Sequence, residues 1–309
     1  MQKIKDALRQ VSQVLPPGER MVFIDYPVHG NVGDLLIQEG TERFFETHGV
    51  TPLRRYSVHL FFMRKLMEFP ENCTIVFHGG GNFGDLHHPF QHLREKIIAA
   101  NPQRKIVILP QTIHFSSPAE LAKSSAILRA HPDLHIFCRD AASYQLASAH
   151  FSEKAYLSPD MAHFLYPIAR TSPNENKHLL LLRRDHEAGA FQNAHDSSAE
   201  SLDWDDFVSF GNHSLIRSFA ALHRGAARLN VSPSFYDSWR YVQRKVIGDV
   251  VRRFSRFDHV TTSRLHAHIL STLMDIPSTV IDNSYGKNSR YFTDWTSSLN
   301  NSQLAANAA

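Results

Sequence analysis

The chain has 309 residues, with 33 basic against 30 acidic side chains, and 42% of its residues are apolar. That is enough apolar content for packed cores and too much for disorder, and the length suits two domains or one large one. A net charge of +3 is too weak for a general polyanion binder, and two cysteines cannot build a disulfide framework.

Cys73 and Cys138 each sit in an apolar run and read as buried thiols in a reducing compartment. No apolar stretch reaches the roughly 18–20 residues that span a bilayer. Lys3, Lys5 and Arg9 are not followed by a continuous apolar core, so the N-terminus does not read as a secretory signal. Ile4, Leu8, Val11 and Leu15 instead recur at helical spacing, which predicts a short helix packed on the domain. A soluble, cytoplasmic protein is expected.

The first half alternates strand and helix signals. Strands are predicted at Met21–Asp25, Thr74–Phe77, Ile106–Leu109 (closed by Pro110) and His135–Cys138. Helices are predicted over Asp34–Thr47, around Leu93, Ile97 and Ile98, over Leu121–Ala130 and over Ala141–Ala149. Such alternation means βαβ units and a largely parallel sheet. Pro159 to Lys177, with three prolines and two asparagines, reads as a linker dividing an N-terminal domain (1–165) from a C-terminal one (166–300). The second domain has strands at Leu179–Leu182, Val260–Thr262 and Thr279–Ile281 and a helix over Leu265–Met274. Between them lie an acidic loop (Asp196, Glu200, Asp203, Asp205, Asp206) and a helical stretch from His213 to Arg256, broken near Ser232–Pro233. Residues 301–309 read as a frayed tail. The architecture is therefore α/β, two domains with a cleft between them.

Ligands bind beyond the carboxyl ends of parallel strands, so the loops there carry the candidate chemistry. His29-Gly30-Asn31-Val32-Gly33-Asp34 opens a helix and suits an anion or a hydroxyl-rich group; Asn31 and Asp34 can bond sugar hydroxyls, or Asp34 can simply cap the helix. His78-Gly79-Gly80-Gly81-Asn82-Phe83-Gly84 contains G-x-G-x-x-G, but the next strand ends Leu109-Pro110-Gln111 without the carboxylate that holds a ribose, which argues against a dinucleotide. Arg139 follows a strand directly; it either binds a carboxylate or phosphate or pairs structurally with Asp140 or another carboxylate. Ser263-Arg264-Leu265-His266 joins a strand to a helix. This puts an arginine and a titratable histidine at a helix N-terminus, an anion site with an acid/base beside it. Lys287 can add a cation to the same cleft.

Taken in order, Asn31-Val-Gly-Asp34, His78-Gly-Gly-Gly-Asn82, Leu109-Pro-Gln-Thr112, Arg139-Asp140 with Ser143-Tyr144, Ser158-Pro-Asp160, Thr262-Ser-Arg-Leu-His266 and Ile276-Pro277 through Lys287 resemble the polysaccharide pyruvyl transferase family. The resemblance covers about residues 20–295. It implies two Rossmann-like domains facing a central cleft, as in GT-B glycosyltransferases. It also implies phosphoenolpyruvate as donor, no cofactor, and a saccharide or lipid-linked oligosaccharide acceptor on which a pyruvate ketal forms in exopolysaccharide biosynthesis. By the same analogy His266 is the acid/base. Arg264, Arg139 and Lys287, with Ser263 and Leu265, hold the donor. Asn31, Asp34, Gly80, Gly81, Asn82 and Gln111 line the acceptor side. The family's pattern places nothing in the region from about 187 to 255.

Other features admit rival readings. Asp203-Trp204-Asp205 matches the D-x-D of metal-dependent enzymes, and His88 and His92 have helical ligand spacing, but neither has the further residues a metal site needs, so no metal is expected. Arg240, Arg244, Lys245, Arg252, Arg253 and Arg256 form either a solvated helix face or a peripheral contact with anionic lipid at the inner face of the membrane. The alternative functions are a nucleotide-sugar glycosyltransferase, disfavoured because no E-x7-E pair exists, and a non-catalytic saccharide-binding subunit.

Overall fold

The structure, a computed structural model, describes residues 1–60, 66, 68–184, 200–229, 231 and 234–305. Asp196 of the expected acidic loop, the expected break at Ser232–Pro233 and the last four residues of the tail lie outside the described residues.

The chain opens with two short helices, α1 (Gln2–Ala7) and α2 (Arg9–Val14), whose Ile4, Leu8 and Val11 are buried with Leu15 as the spacing predicts. There follow β1 (Met21–Ile24), α3 (Val32–Thr47), β2 (Pro52–Tyr56), β3 (Thr74–Phe77), β4 (Gly80–Gly84), α4 (His88–Ala100), β5 (Ile106–His114), α5 (Pro118–Arg129), β6 (Leu134–Cys138), α6 (Ala141–His150) and β7 (Ala155–Leu157). These strands form a seven-stranded parallel sheet in the order β2-β1-β3-β5-β6-β7, with β4 paired on the far end of β5. After them come β8 (Lys177–Leu181), β9 (Glu200–Leu202), α7 (Trp204–Phe207), α8 (Phe210–Arg228), α9 (Tyr236–Phe254), β10 (Phe257–Thr262), α10 (Leu265–Leu273), β11 (Ser278–Val280), α11 (Lys287–Tyr291) and β12 (Ser302–Leu304). They build a second parallel sheet in the order β12-β11-β10-β8-β9.

Side chains alternate across a strand, so each core strand serves two layers. Met21, Phe23, Val76, Val107, Leu109 and Phe137 face one cluster, while Val22, Ile24, Ile75, Phe77, Ile106, Ile108 and Ile136 face the opposite one. The first cluster also takes in Leu179, Leu181 and Val260 of the second sheet, with Leu36 and Phe44 of α3, Trp239 and Val246 of α9 and Ile269 of α10. The two sheets thus share one continuous core. α9 packs on α3 through it, fixed by Gln243 donating to the Leu35 carbonyl (3.1 Å) and Gln38 donating to the Tyr236 hydroxyl (3.0 Å).

Several elements depart from expectation. Pro110 does not close β5: the register shifts between Ile108 and Gln111, and the strand continues past the proline, as strands do at bulges. That extension pairs with the glycine loop, which becomes β4 (Gly80 opposite Gln111, Phe83 opposite Ile113). Ser302–Leu304 is not frayed but adds an edge strand beside β11, and Glu200–Leu202 pairs with β8. The first part of the expected linker is core. Ser158 to His163 is buried, and residues 161–165 form a 3-10 turn packed on α3.

The six cations between Arg240 and Arg256 are engaged within the chain. Arg240 pairs with Glu46 (2.7 Å), Arg244 with Glu39 (2.8 Å), Lys245 and Arg252 with Asp249 (3.3 and 2.8 Å) and Arg256 with Glu175 (3.1 Å). Arg253 donates to the Asp206 carbonyl and lies over the Phe207 ring. These contacts favour the solvated-face reading. Among the described residues, no helix is long and apolar enough to cross a membrane.

α3 approaches the 161–165 turn so closely that a Cβ on Gly40 would lie 2.2 Å from the Met161 carbonyl oxygen. Gly40→Ala is expected to destabilise the fold by about 1–3 kcal/mol through overpacking. A fall in the thermal midpoint of several degrees checks this; an unchanged midpoint contradicts it.

Candidate active site

The carboxyl ends of both sheets open onto one cavity of about 380 Å³. Asp25 follows β1, His78 and Gly79 follow β3, and Arg139 follows β6. From the second sheet come Arg183 after β8, Arg264 to His266 after β10 and Lys287 at the start of α11. Asn31, Asp34, Gly81 and Asn82 also line it. Ser263, Gly80 and Gln111 stand behind the wall. Ser263 Oγ accepts from the Arg183 N–H (2.9 Å), Gly80 lies in β4 beneath Asp34, and Gln111 donates to the His78 carbonyl (2.8 Å).

The centre of the arrangement is Asp160, fully buried. Its Oδ2 accepts from Arg139 Nη1 (2.7 Å) and from His266 Nε2 (3.2 Å), and its Oδ1 accepts from the Ala162 N–H (2.9 Å). Burial works to raise this carboxyl, but His266, Arg139 and the Ala162 N–H outweigh it and hold it well below the usual carboxylate range. An ionised Asp160 accepts only, so His266 Nε2 carries a proton in this bond, which leaves Nδ1 as the nitrogen that can give or take one. A buried carboxylate fixing a histidine's tautomer is the geometry of a general base. Nδ1 lies against α3. A Cβ on Gly33 would come within 2.4 Å of it, so only glycine lets the helix end pack under the ring.

Arg139 is 2% exposed, and Thr112 Oγ1 accepts from its Nε (2.8 Å). The expected structural pairing with a carboxylate occurs, with Asp160 rather than Asp140, which instead caps α6 through the Ser143 N–H (2.8 Å). Among the described residues Nη2 has no hydrogen bond, and it is the edge of the guanidinium beside Gly81. Arg264 is clamped by Asp203, Nε to Oδ1 at 2.8 Å and Nη2 to Oδ2 at 2.6 Å. Asp203 also carries the capping box of α7, so the D-x-D match aims an arginine. Among the described residues, no three His, Cys, Asp or Glu side chains are grouped to hold a metal ion. Lys287 is nearly buried, its Nζ 5.4 Å from the centre of the Tyr285 ring.

The first sheet contributes a second polar chain. Asn31, not Asp34, caps α3, its Oδ1 accepting from the Gly33 N–H (3.0 Å), which leaves Asp34 on the cavity wall, 3.7 Å from His29 Nε2. Asn82 Oδ1 accepts from Arg94 Nη2 (2.7 Å) and its amide donates to Asp25 Oδ2 (3.0 Å). Asp25 was invisible to motif reading. It has φ +76, a left-handed backbone rare outside glycine, and is buried. Burial pushes its carboxyl up to about 7, against the pull of Arg94 and the Asn82 bond and with help from Asp34. Asp160 and Asp203 were also absent from the candidate set, though Ser158-Pro-Asp160 and Asp203-Trp-Asp205 were both visible as text.

Comparison with known proteins gives the family of the chain. The family model for polysaccharide pyruvyl transferase matches residues 31–285, so the chain belongs to that family. EpsO of Bacillus subtilis strain 168, which bears the name of a pyruvyl transferase, is 39% identical over all of this chain and 95% of its own length. Pyruvyl transferase 1 of Schizosaccharomyces pombe is 28% identical over 90% of this chain and 70% of its own. A solved structure of a functionally uncharacterised protein from Klebsiella pneumoniae covers 98% of both chains with a TM-score of 0.60 at 19% identity, a likeness of fold.

Asp25 supplies a pH test. Its value in the fold lies above the ordinary 3.8, so its stabilising contribution is complete below about pH 4 and is lost as pH rises to about 7. Asp25→Asn cannot ionise. Its thermal midpoint is expected to exceed the wild type's at pH 8 and to match it closely at pH 4. The same difference at both pH values contradicts a buried, destabilised carboxyl.

Proposed function

We propose that the chain transfers the pyruvyl group of phosphoenolpyruvate onto two hydroxyls of one sugar, forming a pyruvate ketal during assembly of an exopolysaccharide. The observation that carries this reading is the convergence of Arg139, Arg264, Lys287 and His266, held by Asp160, on one cavity that polar side chains after β1 and β3 also line. Phosphoenolpyruvate carries a phosphate and a carboxylate, and fixed cations in a confined site stabilise both. In its protonated form, with Nε2 held by Asp160, His266 delivers the Nδ1 proton to the methylene carbon, giving C2 cationic character. A sugar hydroxyl adds to C2 and returns its proton to the histidine, the C2–O bond to phosphate then breaks, and a second hydroxyl adds to C2 and closes the ketal, its proton passing to the departing inorganic phosphate. Each proton added is balanced by one removed, and one histidine can serve in both directions. Asn31, Asp34 and Asn82 suit the acceptor's hydroxyls. Asp25, poised near neutrality, suits the proton traffic of the second attack.

Two parallel sheets with their carboxyl ends on a shared cavity support the reading of two Rossmann-like domains of GT-B type, about 1–165 and 166–300. The neutralised cations of α9 lend no support to a lipid contact there.

His266→Ala is expected to lower transfer of labelled pyruvyl from phosphoenolpyruvate by at least about 100-fold with an unchanged circular dichroism spectrum. Activity near wild type contradicts the role. Arg264→Lys keeps the charge but loses the two-point grip of Asp203, and is expected to raise the donor KM or lower kcat. Unchanged constants contradict it.

A further inference from the structure

We infer that a second groove, continuous with the cavity, holds a diphosphate group carried by the acceptor. This rests on the reading of the cavity as the site of pyruvyl transfer. The groove has a volume of about 580 Å³ and shares Val28, His29, Asn31, His59, Trp204 and Arg264 with the cavity, so the two form one space. A cavity of about 380 Å³ accommodates a three-carbon donor and the sugar that receives it; the rest of a larger acceptor has to continue outward.

The outer wall of the groove is α8. His213, Arg217, Ala220 and Arg224 follow one another at i, i+4, i+7 and i+11, so they share one helix face, and all four line the groove. Arg217 and Arg224 are exposed, and among the described residues neither has an ion pair or a hydrogen bond. The cations of α9 contrast with them, since each is met by an acidic side chain or a carbonyl. Of the other charged groups at the groove, Arg264 is paired with Asp203, and Asp205 is the carboxylate among the described residues of its lining. His29, His59 and His213 add donors; His29 also faces Asp34, and His213 meets the Asp205 carbonyl. Arg224 is near enough to His59 to disfavour its charged form, after burial, so the arginine's field reaches into the groove. Arg217 and Arg224 are two turns apart, about 10 Å along the helix axis at their Cα positions, and their long side chains can bring two guanidinium forks together on the oxygens of a diphosphate, which forks suit better than sugar hydroxyls do.

The test uses the full chain, with and without saturating phosphoenolpyruvate. Inorganic pyrophosphate, farnesyl diphosphate and uridine diphosphate are titrated by calorimetry into wild type, Arg217→Gln/Arg224→Gln and, as a control for charge removal, Arg252→Gln. Wild type and the control are expected to bind diphosphates alike, and the double variant at least ten-fold more weakly. Tighter farnesyl diphosphate marks a lipid-linked acceptor, tighter uridine diphosphate a nucleotide-linked one, and each supports the site. Equal binding by wild type and the double variant, or no diphosphate binding by wild type, overturns it. Failure of the pyruvyl-donor reading shows separately, as a thermal midpoint that phosphoenolpyruvate does not raise in either protein.

Discussion

Asp160 is the joint on which the site depends. Its carboxylate, buried under the first sheet, holds an arginine from the end of β6 with one oxygen and shares that oxygen with a histidine from the first turn of α10. The remaining oxygen takes the Ala162 N–H, and the Asp160 N–H is in turn bonded to the Tyr291 hydroxyl (3.0 Å). Burying an ion pair costs desolvation, and the bonds from His266 and the Ala162 N–H to the same carboxylate help offset that cost. The continuous core between the sheets makes this possible. With α3, α9 and α10 packed in one cluster, groups from opposite halves of the chain are brought within hydrogen-bond distance.

The site is held in place at some cost in stability. Asp25 sits in a left-handed backbone with a carboxyl that burial disfavours in its charged form, and Arg94 is buried behind it, its guanidinium brought down to about 10 by the same burial. Asn82 links the two, and the Arg94 guanidinium stacks over Phe83 (4.6 Å). Strain and buried charge of this kind cluster at functional sites. The structural cations are handled differently. Arg104 donates to the carbonyls of Leu66, Phe69, Pro70 and Cys73, and Arg55 grips Glu42 at two points, so these two serve the scaffold.

Much of this could be read from the chain. Strands running into polar, glycine-rich ends named β1, β3, β6 and β10, and the residues just beyond them reach the cavity because parallel strands all deliver their carboxyl ends to one side. Short and edge strands were missed because they carry little periodicity. Pro52–Tyr56, Ala155–Leu157 and Ser302–Leu304 are too brief or too polar to alternate clearly, and β5 hid behind Pro110. Asp160 and Asp203 stand in readable motifs, but the roles the fold gives them depend on partners 106 and 61 residues away. Asp25 had no signal in the sequence at all, since its backbone angle and burial exist only in the fold. Gly33 was read as a glycine of an anion loop, and its tighter duty, leaving room for the His266 ring, appears only when α10 is set against α3.

A crystal structure of the chain with phosphoenolpyruvate bound measures the central claim most directly. The account predicts the donor between the two sheets, its phosphate and carboxylate on Arg139 Nη2, Arg264 and Lys287, and its methylene carbon facing His266. Phosphoenolpyruvate bound away from the Asp160-centred cluster, or an empty cavity at saturating donor, contradicts it.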